Sequence, residues 1–379
     1  MHVGIISSTP LPPSEGIGSY VWNLATHLKQ MGHKATIITR GSRHRTSLRL
    51  VDGVSIWSPT FLPLYPLHVH WHSLYLNKLV RQIEPLIDLF HLHTPLVPSL
   101  KTDRPQLVTV HTPMKSDIGS ITERDFYSRL IKMQGTVSYQ LEQDLFEKAD
   151  KLTAVSNSVA HELNEYGIDP AEVNVLGNGV DTHIFKPAAK KQTSGRPYLF
   201  TAARLAPRKG LRDLIACAEI VCQQFPEHQF LIAGSGPREA ELRAEIERRA
   251  LQKNVILLGY MGDKQRLVKL YQQADAYIHP AHYEGLPTVL LEAMACGIPA
   301  ITTAVSGSLD VIDDGVNGLL APARQPETLA NAIIRILSDS AFAAKLGKAG
   351  LATISERYAW NVVSQNYVNE YEQLLARHK

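Results

Sequence analysis

The chain has 379 residues, 44% of them hydrophobic, which suits one large domain or two of ordinary size with a substantial core. Its 39 Lys and Arg stand against 36 Asp and Glu, and the resulting net charge of +3 is too small to hold nucleic acid by bulk charge. Three cysteines without metal-ligand spacing suit a reduced compartment, and no apolar run approaches the roughly 18–20 residues of a membrane-spanning helix.

The chain opens without a basic segment, and Val3–Ser7 reads as a strand rather than part of a signal peptide, so a cytoplasmic location is expected. In the loop that follows, Gly16 and Gly18 let backbone amides approach a phosphate or a sugar. This is not a dinucleotide fingerprint: a third glycine is missing at the required offset. The strand after the Gly18–Met31 helix, Lys34–Thr39, also closes without an acidic residue. From Gly16 to Val51 no Asp or Glu occurs, whereas Lys29, Lys34, Arg40, Arg43, Arg45 and Arg49 do. Such a run is either a solvated loop or a patch for an anionic membrane surface or a phosphorylated acceptor. In the next stretch His68, His70 and His72 alternate, which puts all three on one face of a strand. They could hold a metal, but no carboxylate joins them, and Tyr65, Trp71 and the neighbouring leucines favour a lipid or acceptor contact.

Leu89–His93 and Leu107–His111 read as buried strands that end in histidine. His111 is taken as a site residue and His93 is left open. Gln134–Lys148 and Ser158–Tyr166 read as helices, and Lys151–Val155 and Val173–Leu176 as strands. Asn178, in Leu-Gly-Asn-Gly-Val-Asp, either orients a site or closes a turn. The polar stretch His183–Pro197, with a glycine and two prolines, reads as a linker. Beyond it the rhythm restarts. Tyr198–Ala202, Gln229–Ala233, Val255–Leu258, Ala276–His279 and Ala300–Thr303 read as strands. Helices are expected over Gly210–Gln224, Glu239–Ala250, Asp263–Gln272, Thr288–Met294 and Glu327–Ser338, with a last amphipathic helix over Trp360–His378. The pattern is α/β, with two doubly wound parallel-sheet domains.

Open sheets of this kind bind ligands beyond the carboxyl ends of their strands. There, Thr-Ala-Ala-Arg-Leu-Ala-Pro-Arg-Lys-Gly places Arg204 and Lys209 around a turn, a planar fork and a mobile point charge suited to a diphosphate on which negative charge grows as it leaves. Gly234, in Leu-Ile-Ala-Gly-Ser-Gly-Pro, allows close backbone approach. The densest stretch is His-Tyr-Glu-Gly-Leu-Pro-Thr-Val-Leu-Leu-Glu-Ala, which begins at His282. Leu286 and Thr288 flank a helix start, a ready site for phosphate. Glu284 lies at the mouth of the turn and Glu292 about one helical turn in, each a two-oxygen acceptor suited to a pair of sugar hydroxyls.

Glu-Gly-Leu-Pro-Thr-Val-Leu-Leu-Glu-Ala-Met-Ala-Cys-Gly-Ile-Pro resembles the signature of family 4 glycosyltransferases, retaining nucleotide-sugar enzymes of GT-B fold. Ala-Arg-Leu-Ala-Pro-Arg-Lys-Gly, Ile-Ala-Gly-Ser-Gly-Pro, Val-Ile-Leu-Leu-Gly-Tyr, Asn-Gly-Val-Asp and Val-Thr-Val-His-Thr-Pro match that family's other marks over nearly the whole chain. The resemblance implies two Rossmann-like domains facing a central cleft. These are an acceptor-side domain over 1–185 and a nucleotide-sugar domain over 186–357, with the last helix, 358–379, crossing back. It implies that Arg204 and Lys209 hold the donor diphosphate, with Gly16 and Gly18 near the phosphate or the acceptor. Glu284 would touch the transferred sugar, Glu292 the ribose, and Tyr260 and Met261 the base. His111 would lie against the sugar's reacting face. The family often has adjacent glycines in its first loop, where Ile17 stands here.

No Asp-x-Asp pair occurs, so metal-independent transfer without a cofactor is expected, by front-face displacement in which the leaving phosphate takes the acceptor's proton. The partners implied are a nucleotide-sugar donor, uridine favoured and guanosine next, and a glycan, lipid-linked or small-molecule acceptor. A peripheral contact with an anionic membrane is a further expectation, and nucleic acid is not expected. The competing readings are a nucleotide-sugar 2-epimerase and a non-catalytic nucleotide-sugar binder.

Overall fold

Val-Gly-Ile-Ile at 3–6 and Leu-Val-Thr-Val at 107–110 are buried at consecutive positions, which a strand achieves only when both faces of its sheet are covered. The computed structural model describes residues 1–9, 11, 16–64, 68–120, 126–190 and 195–378. They form two units, Met1–Gly179 with Trp360–Lys379, and Val180–Ala359.

The first unit runs β1 (His2–Ser7), α1 (Gly16–Gln30), β2 (Lys34–Thr39), β3 (Ser47–Val51), β4 (Val54–Ser58), α2 (His68–Ile83) and β5 (Leu89–His93). It continues with β6 (Gln106–Val110), α3 (Met114–Ser120), α4 (Phe126–Glu147), β7 (Lys151–Ala154), α5 (Asn157–Glu162) and β8 (Asn174–Val175). Its sheet has the order β3-β4-β2-β1-β5-β6-β7-β8, parallel throughout except where β3 turns back on β4. That hairpin turns on Asp52-Gly53, both at positive φ (48° and 75°), as a two-residue turn between antiparallel strands requires.

The histidines at 68, 70 and 72 do not lie on a strand. They open helix α2, whose buried Val69, His72, Leu76, Leu79, Val80 and Ile83 recur at helical spacing. A helix sends positions i and i+4 to one face. His68 and His72 are accordingly buried, with Phe61 edge-on to both rings at 6.0 and 5.4 Å, while His70 is exposed. Burial and the charge of Arg40 push the His72 imidazole down to about 4. Tyr65 lies outside the described residues.

The second unit runs β9 (Tyr198–Ala202), α6 (Leu211–Gln224), β10 (Gln229–Ala233), α7 (Glu239–Arg248), β11 (Val255–Gly259), α8 (Lys264–Gln273) and β12 (Ala276–His279). Then come α9 (Thr288–Ala295), β13 (Ala300–Thr303), α10 (Ser306–Val311), β14 (Leu319–Ala321), α11 (Pro326–Ser338) and α12 (Ser340–Thr353). Its sheet, β11-β10-β9-β12-β13-β14, is parallel throughout. The stretch read as a linker starts inside this unit: the unit begins at Val180, and Phe185 packs edge-on against Tyr271 at 5.8 Å.

The last helix, α13 (Trp360–Arg377), belongs to the first unit. Trp360, Val363, Tyr367, Tyr371 and Leu374 form its buried stripe and share one core with Tyr20, Val21, Leu24 and Leu28 of α1. Gly179 makes room for it, since a Cβ there would stand 2.4 Å from the Trp360 indole. No helix among the described residues is long and apolar enough to cross a membrane. Because Trp360 is buried in this core, Trp360→Ala should cost about 3–5 kcal/mol in urea unfolding of the first unit; an unchanged midpoint would show that α13 is not part of that core.

Candidate active site

In the second unit the strand order reverses between β9 and β12, and that is where a doubly wound sheet opens a crevice at its carboxyl edge. The loops that leave β9 and β12 are stitched together by backbone. The His282 amide donates to the Arg208 carbonyl at 2.7 Å. Gly210, at φ +62°, lies so close that a Cβ would stand 1.8 Å from the Pro280 carbonyl oxygen. His282 Nε2 meets Asp213 Oδ2 of α6 at 2.7 Å. The loop after β12 is fastened on its other side as well: Gly307 donates to the Glu284 carbonyl at 3.0 Å, and Thr303 Oγ1 to that of Ala281. The loop after β10 packs on the loop after β9, where Gly234 (φ +143°) could carry no Cβ without striking the Ala203 carbonyl. Its amide reaches the Gly259 carbonyl at 2.8 Å, just before Tyr260 and Met261. These contacts join the loops that carry Arg204, Lys209, Gly234, Tyr260, Met261 and Glu284 into one rim, while Glu292 lies within α9.

Glu284 is the buried charge of that rim. Its Oε1 accepts from Lys209 Nζ and, at 3.1 Å, from His279 Nε2. Burial alone would raise its pKa, but the Lys209 charge, the His279 hydrogen bond and Arg208 hold it well below the usual carboxylate range. Arg204 is exposed, and its guanidinium bonds no described residue. At the start of α9, Pro287 is the N-cap in extended conformation and no side chain caps the helix. Thr288 and Val289 donate to no backbone carbonyl among the described residues, so two N–H groups remain available to an anion. Leu286 is buried just before them.

Glu292, in the middle of α9, behaves oppositely. Burial pushes its carboxyl up to about 7, although Tyr271 donates to its Oε2 at 2.9 Å and Lys264 adds positive charge. Tyr260 is 66% exposed after β11, a flat apolar face next to the rim.

In the first unit the reversal falls between β1 and β5. Gly16 and Gly18 lie in the first turn of α1, Gly16 exposed and Gly18 buried; residues 12–15 are outside the described residues. His111 follows β6 and is buried, and burial pushes its imidazole down to about 3. Its Nε2 stands 3.1 Å from His93 Nδ1. Asn178 is buried beside Gly179, under α13.

Sequence reasoning missed His279, His282, Asp213 and Tyr271. Each acts by holding another residue. The one readable signal was His282 itself, adjacent to the Tyr-Glu-Gly-Leu-Pro run.

A family model described as Glycosyltransferase Family 4 matches residues 14–184, and one described as Glycosyl transferases group 1 matches residues 184–353. A D-inositol 3-phosphate glycosyltransferase of Kribbella flavida is 28% identical, covering 98% of this chain and 93% of that protein. A sucrose-phosphate synthase structure from Thermosynechococcus elongatus aligns with a TM-score of 0.83 at 22% identity, over 99% of both chains. The structure of HepE from Anabaena in complex with UDP and glucose aligns at a TM-score of 0.76 and 18% identity, over 98% of this chain and all of that one.

Lys209 and Glu284 form a buried pair, so removing one partner strands the other. Lys209→Met should cost about 3–5 kcal/mol in urea unfolding, and adding Glu284→Gln should recover part of the loss, with a coupling of about 0.5–3 kcal/mol. Strict additivity would show that the pair is not formed in solution. Because the carboxyl pKa is depressed, the stabilisation is present above the ordinary carboxyl range near 4.5 and is lost as the pH falls below it.

Proposed function

The chain belongs to family 4 of the glycosyltransferases and has the GT-B fold, and on that premise we propose that it moves a hexose-type sugar from a nucleoside diphosphate sugar to an acceptor hydroxyl with retained anomeric configuration and without a metal ion. The observation that carries the reading is the second unit's rim, where Lys209, a buried ionised Glu284 and the uncapped start of α9 meet at the strand-order reversal. Cations and N–H donors next to an ionised acceptor group match a diphosphate joined to a polyhydroxylated ring.

In this reading Arg204, Lys209 and the α9 start, with Leu286 and Thr288, hold the diphosphate. Glu284 accepts from hydroxyls of the transferred sugar. Glu292 accepts from the ribose hydroxyls, and Tyr260 and Met261 flank the base. On the first unit, the acceptor side, His111 and the amides near Gly16 and Gly18 contact substrate oxygens. The bond from the sugar's anomeric carbon to the phosphate oxygen breaks as the acceptor oxygen bonds that carbon on the same face. The acceptor's proton goes to the departing phosphate oxygen. Charge that grows on the diphosphate is met by Arg204, Lys209 and the helix start, which is the support for metal independence. A uridine donor is favoured, in keeping with the UDP and glucose described in HepE.

The acceptor side carries a surface suited to a membrane-borne acceptor. Leu64, Trp71, Leu74 and Tyr75 are exposed, beside a loop bearing exposed Arg43 and Arg45. The two are joined: Phe61 donates to the Ser42 carbonyl, lies under the Arg40 guanidinium and packs on the start of α2. Apolar groups ringed by arginines with no acid from Gly16 to Val51 fit an anionic lipid surface. Cosedimentation with vesicles containing phosphatidylserine should fall when Arg43, Arg45 and Trp71 are replaced by Ser; equal binding of this variant, or no binding by the native chain, would remove the membrane reading.

A thermal shift against UDP, GDP, ADP and TDP tests the donor site, since a ligand at about a hundred times its Kd adds roughly 2.7 kcal/mol. Stabilisation by one nucleotide, lost in Arg204→Ala and Glu292→Ala, is expected. No shift with any of them would remove the donor-site reading.

An ionised Glu292 offers both oxygens to the ribose hydroxyls and makes stronger, charge-assisted bonds than the protonated acid, so nucleotide affinity should weaken as the pH falls below about 7. Comparison of native chain and Glu292→Gln by calorimetry isolates this dependence from the ligand's own phosphate titration. Identical pH profiles for the two would show that Glu292 does not face the ribose.

A further inference from the structure

We infer that His93 is a positioning residue that locks His111 in a single tautomer, so that His111 presents its Nδ1–H as a hydrogen-bond donor to a substrate oxygen. The inference rests on the sugar-transfer reading for the identity of that oxygen and on geometry alone for the tautomer.

His93 closes β5 and is fully buried; His111 follows β6 on the neighbouring strand and is also buried. His93 Nδ1 and His111 Nε2 are 3.1 Å apart, a hydrogen bond between two imidazoles. Burial pushes both rings far down, with the neighbouring histidines adding to the effect at His93, so both are neutral at physiological pH. Two neutral imidazoles can share the bond in two ways. In one, His111 donates from Nε2 and His93 carries its own proton on Nε2. In the other, His93 donates from Nδ1 and His111 carries its proton on Nδ1.

The remaining atoms decide between them. His93 Nε2 is sealed from solvent and has no hydrogen-bond partner among the described residues. The first arrangement would bury an N–H with no acceptor there, which native proteins avoid more strongly than a bare lone pair. The second leaves only a lone pair at that atom. His111 Nδ1 has no partner among the described residues and is not one of the sealed polar atoms. It is the nitrogen through which this ring can meet a substrate.

His93 is itself held in place. Its ring lies 4.0 Å from that of His91, and His91 uses both nitrogens, Nδ1 with Tyr371 Oη and Nε2 with Thr109 Oγ1, each at 2.7 Å. Thr109 in turn meets Thr153 at 2.7 Å and Tyr367 at 3.1 Å. Tyr20 of α1 stands edge-on to both rings of the pair, at 5.3 and 4.9 Å. The pair is thus walled by β5, β6 and α1, and α13 backs that wall through His91 and Tyr20. With its Nε2 committed to His93, His111 serves the reaction by donating a hydrogen bond and takes up no proton.

The test begins with the native chain, labelled with nitrogen-15 in histidine. Two-bond proton–nitrogen correlation should show His111 as the Nδ1–H tautomer, and an Nε2–H spectrum would overturn the inference. The second arm measures hydrolysis of UDP-glucose. His93→Leu removes the donor and should lower kcat by up to roughly 10-fold, with KM little changed and the His111 tautomer no longer fixed. His93→Asn places an amide N–H near the lost Nδ1–H and should recover most of kcat and the Nδ1–H signal. A folded His93→Leu variant with native kcat and an unchanged His111 spectrum would also overturn it. If the native chain does not turn over UDP-glucose, the nitrogen spectra of the native chain and of the His93→Leu variant still decide the tautomer, and the failure falls on the donor reading.

Discussion

A carboxylate kept out of water in the loop after a parallel strand is tolerable only where cations and N–H donors surround it, and Glu284 imposes that demand on the second unit. Lys209, from the loop after β9, and His279, from the end of β12, meet it at one oxygen. They can do so only because the two loops are fastened to each other. The Arg208 carbonyl accepts from His282, and glycine at 210 admits the Pro280 carbonyl. The thirteenth strand and the helix after it fasten the same loop from the other side through Thr303 and Gly307. The same contacts that fasten the loops thus bring the partners of the buried charge together.

Two glutamates of one short motif emerge with opposite electrostatics. Glu284 sits among positive groups and stays ionised; Glu292 sits among tyrosines and apolar groups, and its pKa rises to about 7. The difference lies in their surroundings, as the chemistry of the two side chains is the same. Glu284 therefore keeps its charge and its bonds to Lys209 and His279 across the physiological pH range.

The first unit is organised from its far end. Helix α13 arrives last in the chain and supplies Tyr367 and Tyr371, which reach Thr109 and His91 on the central strands. The same helix buries Trp360 over Gly179 and stacks it on His27 of α1 at 5.6 Å. His91 and Thr109, each two positions before one of the histidines His93 and His111, therefore bond residues more than 250 positions away in the chain. The chemistry of the histidines is set by burial and by one another, since no carboxylate bonds them among the described residues.

Much of this was legible in the sequence because strands and helices declare themselves through local periodicity. The apolar runs of β1, β2, β5, β6 and β9–β13, the Gly-Leu-Pro turn before α9, and the positions of Arg204, Lys209, Glu284 and Glu292 after strands all follow from spacing and turn chemistry. The same reasoning failed at His68–His72, where three alternating histidines suggested a strand while the longer helical spacing from Val69 to Ile83 decided otherwise. It also passed over the β3–β4 hairpin, although Asp52-Gly53 between two alternating stretches signals one. What only the tertiary structure decided are the pairings across the chain: Lys209 with Glu284, 75 residues on, His93 with His111, and α13 with the first unit. Periodicity specifies which face of an element is apolar, whereas strand order and burial determine which polar groups are brought within hydrogen-bond reach and which protonation state each must hold.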